Sequence, residues 1–568
     1  MRRLTLPVLF VFLSAFVYAG TISGHVFLDA NGDGQYQVGE APAPGALVSD
    51  GIAIVAPGTD GVYQLQAPDG PQVVFVVNPT GTWPTAGFYR NLPTGAGQAD
   101  FPLARQEQKT PFYFVHGTDL HVNDNAGAQM ARYVKTLNEL LVPLAFVVHT
   151  GDLAVDTTMC PLPEGERRLR LYQQMVAPLK MPLFNLPGNH EHAGAATADG
   201  PRTDPDWGKG MYRRLFGPTH YAFNYAGIAF IAMDGTDVSS GKVAYQIPQE
   251  CMAWLKAYLP HVDMATPLVM MIHEEFFTLA QKPEVEQLLQ GRKVIMALCG
   301  HGHSLSRVPF AGGMETEGGA VSYAWHGSGF APNAMAYHLV KITPDGFEDA
   351  MGDWAERYPV TVASPARSAT LKDEAACDVR FLDLKNEVTS VEVSLGEAKQ
   401  TVTDFRPDGL TRRFSCALKL PALADGVYDL VLTLRGPGEP MVERQPFLVL
   451  TGREEPFSAT APAKLSMMLF GVQAANLVKV NGQQIGTLPP DAKERQIFSL
   501  EVPATTLRRL NAVEFVSAPL AAGGYDSFSA LYVTMAYQGK KVSDPRNHGV
   551  TVPKSDQAVS RSLYFDIK

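Results

Sequence analysis

The segment LFNLPGNHE, residues 183–191, decides the fold class of the central region of this 568-residue chain. Residues 183–186 form a short apolar run that predicts a buried strand, and Asn189, His190 and Glu191 follow almost at once. Four other segments of the chain repeat this pattern. Open α/β sheets bind ligands beyond the carboxyl ends of their strands, so we expect these polar residues to converge on one edge.

The five segments share one pattern, an apolar run followed by residue types that can bind metals or transfer protons. The runs are 112–115, 145–148, 183–186, 268–272 and 294–298, and the polar blocks are Asp119-Leu120-His121, Gly151-Asp152, Gly188-Asn189-His190-Glu191, His273 and Gly300-His301-Gly302-His303. Of 14 histidines, only His25 and His548 lie outside residues 116–338. Together the five blocks indicate a metal or catalytic site.

In residues 108–350, such apolar runs, including a further one at 230–233, alternate with segments in which apolar residues recur at helical spacing. The helical spacing is clearest at Met130, Tyr133, Val134, Leu137 and Leu141. Apolar strands that alternate with amphipathic helices predict a layered α/β domain over residues 108–350.

The order of the five blocks resembles that of the calcineurin-like metallophosphoesterase superfamily, in which D-x-H, G-D, G-N-H-[DE], H and G-H-x-H follow one another. The resemblance implies two metal ions that share Asp152 as a bridge. It implies seven ligands: Asp119, His121, Asp152, Asn189, His273, His301 and His303. One ion takes Asp119, His121 and His303 with the bridge, and the other takes the remaining three. Such nitrogen and oxygen ligands suit manganese, zinc or iron.

The resemblance also implies roles for residues that are not ligands. His190 is expected to protonate the leaving oxygen or to stabilise its charge. Asp156 is the candidate carboxylate that orients it, against a helix-cap or surface role. Related enzymes often place this carboxylate one residue earlier, where this chain has Val155. Because purple acid phosphatases carry a metal-binding tyrosine at that offset, Val155 argues against a tyrosinate–iron site.

Several polar residues near the blocks are candidate substrate contacts. His192 and Glu274 adjoin ligands in sequence, and Glu275 is a weaker candidate that could equally cap a turn. His220 precedes a predicted strand and could shape the rim of the site. Trp325 and His326 form a second rim candidate, although Trp325 could instead belong to the core.

Residues 20–104 are predicted to form an N-terminal β-sandwich module. A candidate calcium loop lies within it, because Asp29, Asn31, Asp33 and Glu40 match the D-x-[DN]-x-[DN]-G-x5-E pattern around Gly34. Oxygen ligands at alternating positions can wrap one Ca²⁺ ion. The alternative is an ordinary hairpin with solvated carboxylates.

Beyond residue 357 the helical patterns thin out, and two further β domains are predicted. Residues 357–452 form an Ig-like domain and residues 456–568 a C-terminal β-sandwich. The DGVY segment that ends at Tyr428 echoes the one that ends at Tyr63, and a tyrosine there often ties down a sandwich strand. Among five cysteines, Cys377 and Cys416 are a candidate local pair.

Residues 1–19 are typical of a secretory signal peptide. Arg2 and Arg3 precede an apolar run, and Val17 and Ala19 occupy the cleavage-specifying positions. The run is too short for the roughly 20 residues that span a bilayer, and no later segment is long and apolar enough. We therefore expect an exported protein, periplasmic or extracellular, without a transmembrane segment.

The sequence as a whole predicts a multidomain chain with a central α/β metallophosphoesterase sandwich flanked by all-β domains, as in exported bacterial members. By resemblance, a metal-bridging hydroxide attacks a phosphate mono- or diester. A formal charge of −10 argues against a nucleic-acid polymer as partner. The alternative is a non-catalytic envelope or glycan-binding surface protein with a vestigial phosphoesterase domain. Contact of the β domains with glycan or envelope polymer, which would carry the enzyme to its substrate, is compatible with the enzymatic function.

Overall fold

The structure is a computed structural model that describes residues 18–568, except 69, 94, 141, 198–201, 323–336, 353–357, 359, 367, 421–422, 491–496 and 548. The described residues form two compact units, one before and one after residue 355. The predicted signal peptide lies outside the described residues, apart from the backbone of residues 18 and 19. The first described strand already begins at Tyr18.

The first unit opens with a β-sandwich, and alternating apolar residues of its two sheets form a small core. One sheet contains Tyr18–Leu28, Val62–Pro68, Thr82–Pro84, Gly97–Gln98 and Phe101–Arg105. The other contains Leu47–Ser49, Ile54–Val55, Gln72–Val77 and Tyr89–Leu92.

The rest of the first unit is an α/β sandwich of two mixed sheets, which confirms the predicted layers. In spatial order, the first sheet contains Leu183–Asn185, Leu144–His149, Phe112–Gly117, Tyr337–Thr343 and Gly346–Gly352. The second contains Tyr221–Tyr225, Ile228–Ala232, Leu268–Met271, Val294–Cys299, Gly313–Glu317 and Ser306–Phe310. The central strands of both sheets pair in parallel, so their carboxyl ends lie at a common edge.

Short helices and one small hairpin surround these sheets. The α-helices are Gly127–Glu139, Leu162–Val176, Lys209–Phe216, Gln249–Tyr258 and Lys282–Leu288. The 3₁₀ turns are Asn189–Glu191, Leu259–His261 and Phe276–Thr278, and the hairpin pairs Thr236–Asp237 with Ala244–Tyr245. Met130, Tyr133, Val134 and Leu137 form the buried face of the first helix, as their spacing predicts, whereas residue 141 lies outside the described residues. No described helix is both long and apolar enough to cross a membrane.

Besides its own small core, the N-terminal sandwich contributes Phe75 and Val77 to the hydrophobic core of the α/β sandwich. Phe75 of the small module lies in the same buried cluster as Phe223 and Trp254 of the α/β sandwich. Across this junction the side-chain amide of Asn78 donates to the Asn224 carbonyl at 3.0 Å, and the Asn224 side chain donates to the Asn78 carbonyl at 2.8 Å. The two parts therefore form one packed body.

The second unit contains two further β-sandwiches. In the first of them, one sheet contains Val360–Ser364, Glu374–Leu382, Arg406–Asp408 and Thr411–Lys419. Its other sheet contains Thr370–Leu371, Ser390–Leu395, Ala398–Val402, Gly426–Arg435 and Met441–Val449. In the second sandwich, one sheet contains Ala463–Phe470, Ile497–Val502, Phe528–Tyr537, Lys540–Val542 and Val550–Val552. Its other sheet contains Asn476–Val480, Gln483–Leu488, Leu510–Val516 and Ser560–Asp566. A 3₁₀ turn spans Ala504–Thr506.

Two sequence signals of this unit have a clear structural meaning. The Tyr428 hydroxyl donates to the Ala424 carbonyl at 3.0 Å, the local tie expected of a tyrosine corner. Cys377 and Cys416 are direct partners across two antiparallel strands, but all five cysteines are free thiols, so the predicted pair is adjacent without being joined.

Candidate metal centre

The seven predicted ligands converge at the carboxyl ends of strands from both sheets. Asp119 and His121 follow Phe112–Gly117, and Asp152 follows Leu144–His149. Asn189 begins the 3₁₀ turn after Leu183–Asn185. From the second sheet, His273 follows Leu268–Met271, and the 301–303 pair follows Val294–Cys299.

The first group of ligand atoms belongs to Asp119, His121, Asp152 and His303. The Nε2 atoms of His121 and His303 lie 3.0 Å apart, and Asp119 Oδ1 is 3.1 Å from His303 Nε2. Asp152 Oδ2 is 3.8 Å from His121 Nε2. Two imidazole nitrogens and two carboxylates that face one another at these distances can hold one ion.

The second group contains Asp152, His273 and His301, with Asn189 beside them. Asp152 Oδ2 is 3.3 Å from His273 Nε2. Asn189 Oδ1 is 3.1 Å from His273 Nε2 and 2.9 Å from His301 Nδ1. Asp152 is thus the one residue that contributes to both groups.

The burial and charge of the centre fit cations. Asp119, His121 and His273 have no exposed surface, and two buried carboxylates need compensating charge. Burial alone would raise the pKa of Asp152, but His190 and His273 together hold it below its usual range. Burial would lower the pKa of His273, but Asp152 holds it well above the usual value. Imidazole, carboxylate and amide donors suit zinc, manganese or iron.

The backbone at the ligands adopts an uncommon conformation. Five of the seven ligands have positive φ: Asp119 at 53°, His121 at 42°, Asp152 at 50°, His301 at 70° and His303 at 55°. For residues with side chains this costs about 1–3 kcal/mol each, and it persists only where the surroundings impose it. The centre is therefore shaped by the packed loops around it.

Two glycines of the sequence blocks allow the loops to approach closely. A Cβ on Gly188 would lie 2.3 Å from Asp152 Oδ1, and a Cβ on Gly300 would lie 2.4 Å from Asp119 Oδ2. A third, Gly302, faces carboxylates, since its Cβ would lie 2.6 Å from Glu275 Oε1 and 2.5 Å from Glu317 Oε1. A side chain at residue 302 would therefore collide with these two carboxylates.

Glu191 has a role that sequence reasoning missed. Its buried carboxylate accepts four backbone amides, from Asp152, Leu153 and Gly188 at 2.8 Å and from Ala154 at 3.2 Å. It thereby joins the G-N-H-E loop to the G-D loop that carries the shared ligand. Burial and the neighbouring Asp152 raise the pKa of Glu191 to about 7. The position of Glu191 in the G-N-H-E block was the sequence feature that could have pointed to this role.

His190 lies between the ligand groups and a second carboxylate. Its Nε2 is 3.6 Å from Asp152 Oδ2, and its Nδ1 is 3.3 Å from Asp156 Oδ1. Burial lowers the pKa of His190, but Asp152 and Asp156 outweigh it and raise the pKa to about 9. The Asp156 carboxylate also accepts the Thr158 amide at 3.1 Å. Asp156 thus stands where the orienting partner of His190 was expected.

The structure does not bring His220 to the centre. Its ring is buried and packs against Trp254. The ring Nε2 lies 2.8 Å from the carbonyl oxygen of Gly51 in the N-terminal module. His220 thus belongs to the junction between the two sandwiches. Sequence reasoning could not see this, because its partner lies 169 residues earlier.

The other predicted substrate contacts are buried or not described. His192 has no exposed surface, and burial lowers its pKa to about 4. Glu274 is buried and accepts the Thr236 hydroxyl. Glu275 is buried beside Gly302. The remaining two, at positions 325 and 326, lie outside the described residues.

Tyr245 is a neighbour of the centre that sequence reasoning did not identify. It lies on the small hairpin, its ring meets the His301 ring edge-on at 4.8 Å between centroids, and 56% of it is exposed. The Gln246 side chain, which donates to Asp237 at 2.8 Å, braces the two strands of this hairpin. No local pattern marks such a residue, because the hairpin brings it to the centre through the fold.

The candidate calcium loop lies at one end of the N-terminal module. The Asp29 carboxylate accepts the amides of Gly32 at 2.8 Å and Gly34 at 3.0 Å. The Glu40 carboxylate accepts the amides of Ala30 at 3.2 Å and Gln37 at 2.9 Å. These oxygens close the loop on itself, and calcium binding there stays a prediction.

The family model described as calcineurin-like phosphoesterase matches residues 112–305. No curated protein matches the chain. Similar solved structures include the phosphopantetheinyl hydrolase of Mycobacterium tuberculosis, at 15% identity and a TM-score of 0.27, with 41% of this chain and 97% of that chain covered. Another is GAP50, the anchor in the inner membrane complex of Plasmodium, at 12% identity and a TM-score of 0.32, with 44% and 86% covered. At these TM-scores the likenesses say nothing of the activity of this chain. Residues 112–305 form a calcineurin-like phosphoesterase domain, flanked along the chain by β-sheet structure.

Proposed function

We propose that the chain is an exported hydrolase of phosphoric mono- or diesters that uses two transition-metal ions. The observation that supports this most directly is the position of Asp152, which contributes to both ligand groups. Hydrolases of this kind hold two ions about 3.5–4 Å apart, and a shared carboxylate provides that spacing.

Each ion would have its own set of protein ligands beside the shared Asp152. One set is Asp119, His121 and His303, and the other is Asn189, His273 and His301. When bound, such ions lower the pKa of a water molecule and neutralise charge on the phosphoryl oxygens. They also supply the local positive charge that an acidic protein needs for an anionic substrate.

His190 is the group that completes the reaction in this proposal. With Nδ1 next to Asp156, its Nε2 faces the ligand cluster and is the atom that gives a proton to the leaving oxygen. Asp156 does not reach the cluster and acts by holding the ring in this orientation.

The proposal of export depends on residues 1–19 alone. Protein recovered from the periplasm or the medium should begin at Gly20, which N-terminal sequencing would determine. A chain that retains Met1 or stays with the cytoplasm would contradict this part of the proposal and leave the chemistry untouched.

The chemistry is tested with purified protein that has been reconstituted with manganese, zinc or iron. We expect release of alcohol from at least one class in a panel of simple monoesters, simple diesters, nucleotides, cyclic nucleotides and lipid headgroups. Protein in which Asp152 is replaced by Asn is the matched control. Equal hydrolysis by both proteins, or none by the metal-loaded wild type, would contradict the proposal.

A further inference from the structure

The residues of the candidate metal centre are not equally buried. His121 and His273 have no exposed surface. The rings of His190, His301 and His303 are partly exposed in the part of the chain that the structure describes. An ester that reaches the centre therefore approaches from the side of these three rings, which is called the exposed side below.

Tyr245 stands on the exposed side. Its ring meets the His301 ring at 4.8 Å between centroids, and 56% of the residue is exposed. Partial burial raises the pKa of its hydroxyl, and the carboxylates of Asp152, Glu274 and Asp156 raise it further. The side chain is thus close enough to the shared ligand Asp152 to feel its charge, although it belongs to neither ligand group.

The small hairpin holds Tyr245 in this position. The direct partner of Tyr245 across the two strands is Thr236, whose hydroxyl donates to the Glu274 carboxylate. Glu274 directly follows the ligand His273 in sequence. Both strands of the hairpin therefore contact ligands of the second group or their neighbours. A ring that is already held in place loses little freedom when a ligand packs on it, which favours binding.

We propose that the Tyr245 ring packs against the organic group of the ester, so that the protein favours esters with an aromatic group near the phosphate. The inference rests on the proposed function, in which the phosphoryl group lies at the metal ligands. Because the other side of the centre is buried, the organic group extends from the phosphoryl group toward the exposed side, where Tyr245 lies. An exposed aromatic ring offers a planar group both an apolar surface and the geometry of an aromatic pair.

The experiment compares 3-phenylpropyl phosphate with propyl phosphate on the metal-loaded full-length protein, or the methyl diesters of both if the protein hydrolyses diesters alone. The two leaving oxygens are chemically alike, so the pair isolates the effect of the phenyl group. We expect kcat/KM to be about 10-fold higher for the phenylpropyl ester. In Tyr245→Ala this preference should fall to about 2-fold or less, through a higher KM for the phenylpropyl ester and with the propyl ester unaffected. A wild type without the preference would contradict the inference.

Three further variants show which feature of the residue matters. Tyr245→Phe keeps the ring and should keep the preference, whereas an equal loss in Tyr245→Phe and Tyr245→Ala would assign the effect to the hydroxyl and refute packing by the ring. Met264→Ala is the matched control and should behave as wild type. Met264 is 53% exposed and lies in the turn before Leu268–Met271, at the amino end of the strand that leads to His273. If Tyr245→Ala fails to fold, Tyr245→Gln removes the ring but keeps a longer side chain.

Metal content distinguishes contact with the substrate from support of a ligand. Tyr245→Ala should retain as much metal as the wild type after dialysis, because Tyr245 supplies no ligand atom. A loss of metal in this variant would show that the ring supports His301 instead, and the inference would be wrong.

Binding without turnover provides a further readout. The probes are 4-phenylbutylphosphonate and butylphosphonate, in which a CH₂ group replaces the ester oxygen. Calorimetry should show about 10-fold tighter binding of the phenyl analogue to the metal-loaded wild type and little difference between the two for Tyr245→Ala. Equal binding of both analogues to the wild type, or none, would overturn the inference. Failure to hydrolyse any phosphoester would contradict the proposed function instead, since these analogues measure the contact without hydrolysis.

Discussion

The Glu191 carboxylate accepts the backbone amide of Asp152 at 2.8 Å and so fixes the loop that carries the ligand shared by both metal groups. The bond joins two segments that are 39 residues apart in sequence. Glu191 does not touch a metal position itself. Its effect on the centre is therefore indirect, through the backbone of Asp152.

We predict that Glu191→Gln weakens metal binding without removing a ligand. In glutamine an NH₂ group replaces one of the two carboxylate oxygens. That NH₂ donor would face two backbone N–H donors, either those of Asp152 and Gly188 or those of Leu153 and Ala154, and so two hydrogen bonds would be lost. Loss of such a supporting partner typically costs 10–100-fold in metal affinity. Metal content after dialysis against a graded chelator would measure it. Glu166→Gln, a surface change, should behave as wild type, and equal metal retention in both variants would contradict the role.

We predict that Asp152→Ala loses both ions, whereas His303→Ala loses mainly one. The reason is that Asp152 belongs to both ligand groups and His303 to only one. Elemental analysis should find close to two transition-metal ions per wild-type chain. Full occupancy in Asp152→Ala, or only calcium in the wild type, would contradict the two-metal proposal.

We predict that His190→Ala keeps its metal but hydrolyses esters about 10²–10⁴-fold more slowly, the usual worth of acid–base catalysis. The loss should shrink for esters with good leaving groups, because these need less protonation. Asp156→Asn should show a smaller loss with the same dependence on the leaving group, since it acts through His190. An equal loss across all leaving groups would show that His190 serves another purpose.

We predict that calcium stabilises the loop from Asp29 to Glu40 and leaves catalysis unchanged. A ligand present at 100 times its dissociation constant adds about 2.7 kcal/mol to the free energy of unfolding. Millimolar calcium should thus raise the unfolding temperature of the full chain. Asp33→Ala should abolish the shift and preserve turnover of a small phosphoester. If calcium still raised the unfolding temperature of Asp33→Ala, the calcium site would lie outside this loop.

We predict that the first unit loses stability as pH falls below about 6.5, in part through His149. Burial lowers the pKa of this histidine to about 3, and it is held neutral between Tyr133 and Tyr172 at 3.0 and 2.7 Å. Because the folded pKa is below the unfolded one, the contribution is complete above pH 6.5 and is lost as pH falls toward 3. The slope is at most about 1.4 kcal/mol per pH unit.

Urea unfolding at several pH values would check this slope. All five tryptophans precede residue 355, so their fluorescence follows the first unit. His149→Gln should flatten the pH dependence, and His261→Gln, which changes an exposed histidine, should leave it as it is. The same slope in wild type and His149→Gln would contradict the assignment.

The sequence was most informative where function depends on a strand and the residue directly after it. The runs before Asp119, Asp152 and His273 are strands, and their ends do meet. Local order suffices there because parallel strands bring their ends to one edge. The layers of the α/β domain were predictable for the same reason.

The sequence was least informative where a contact spans distant segments. The His220 ring faces the Gly51 carbonyl, and Tyr245 reaches His301 only because a hairpin folds over the edge of the sheet. Neither contact leaves a periodic or spaced pattern in the chain. The shared core around Phe75 was likewise invisible, since apolar strands look alike whether they pack within a module or against a neighbour.

The burial of Phe75 among phosphoesterase residues has an evolutionary consequence. A recombination event that replaced residues 20–104 with an unrelated module would uncover Phe223 and Trp254 and leave Asn224 without its partner. Most such exchanges would yield a chain that aggregates before it could be selected. The N-terminal module and the phosphoesterase are thus expected to be inherited together, as one gene segment under common selection.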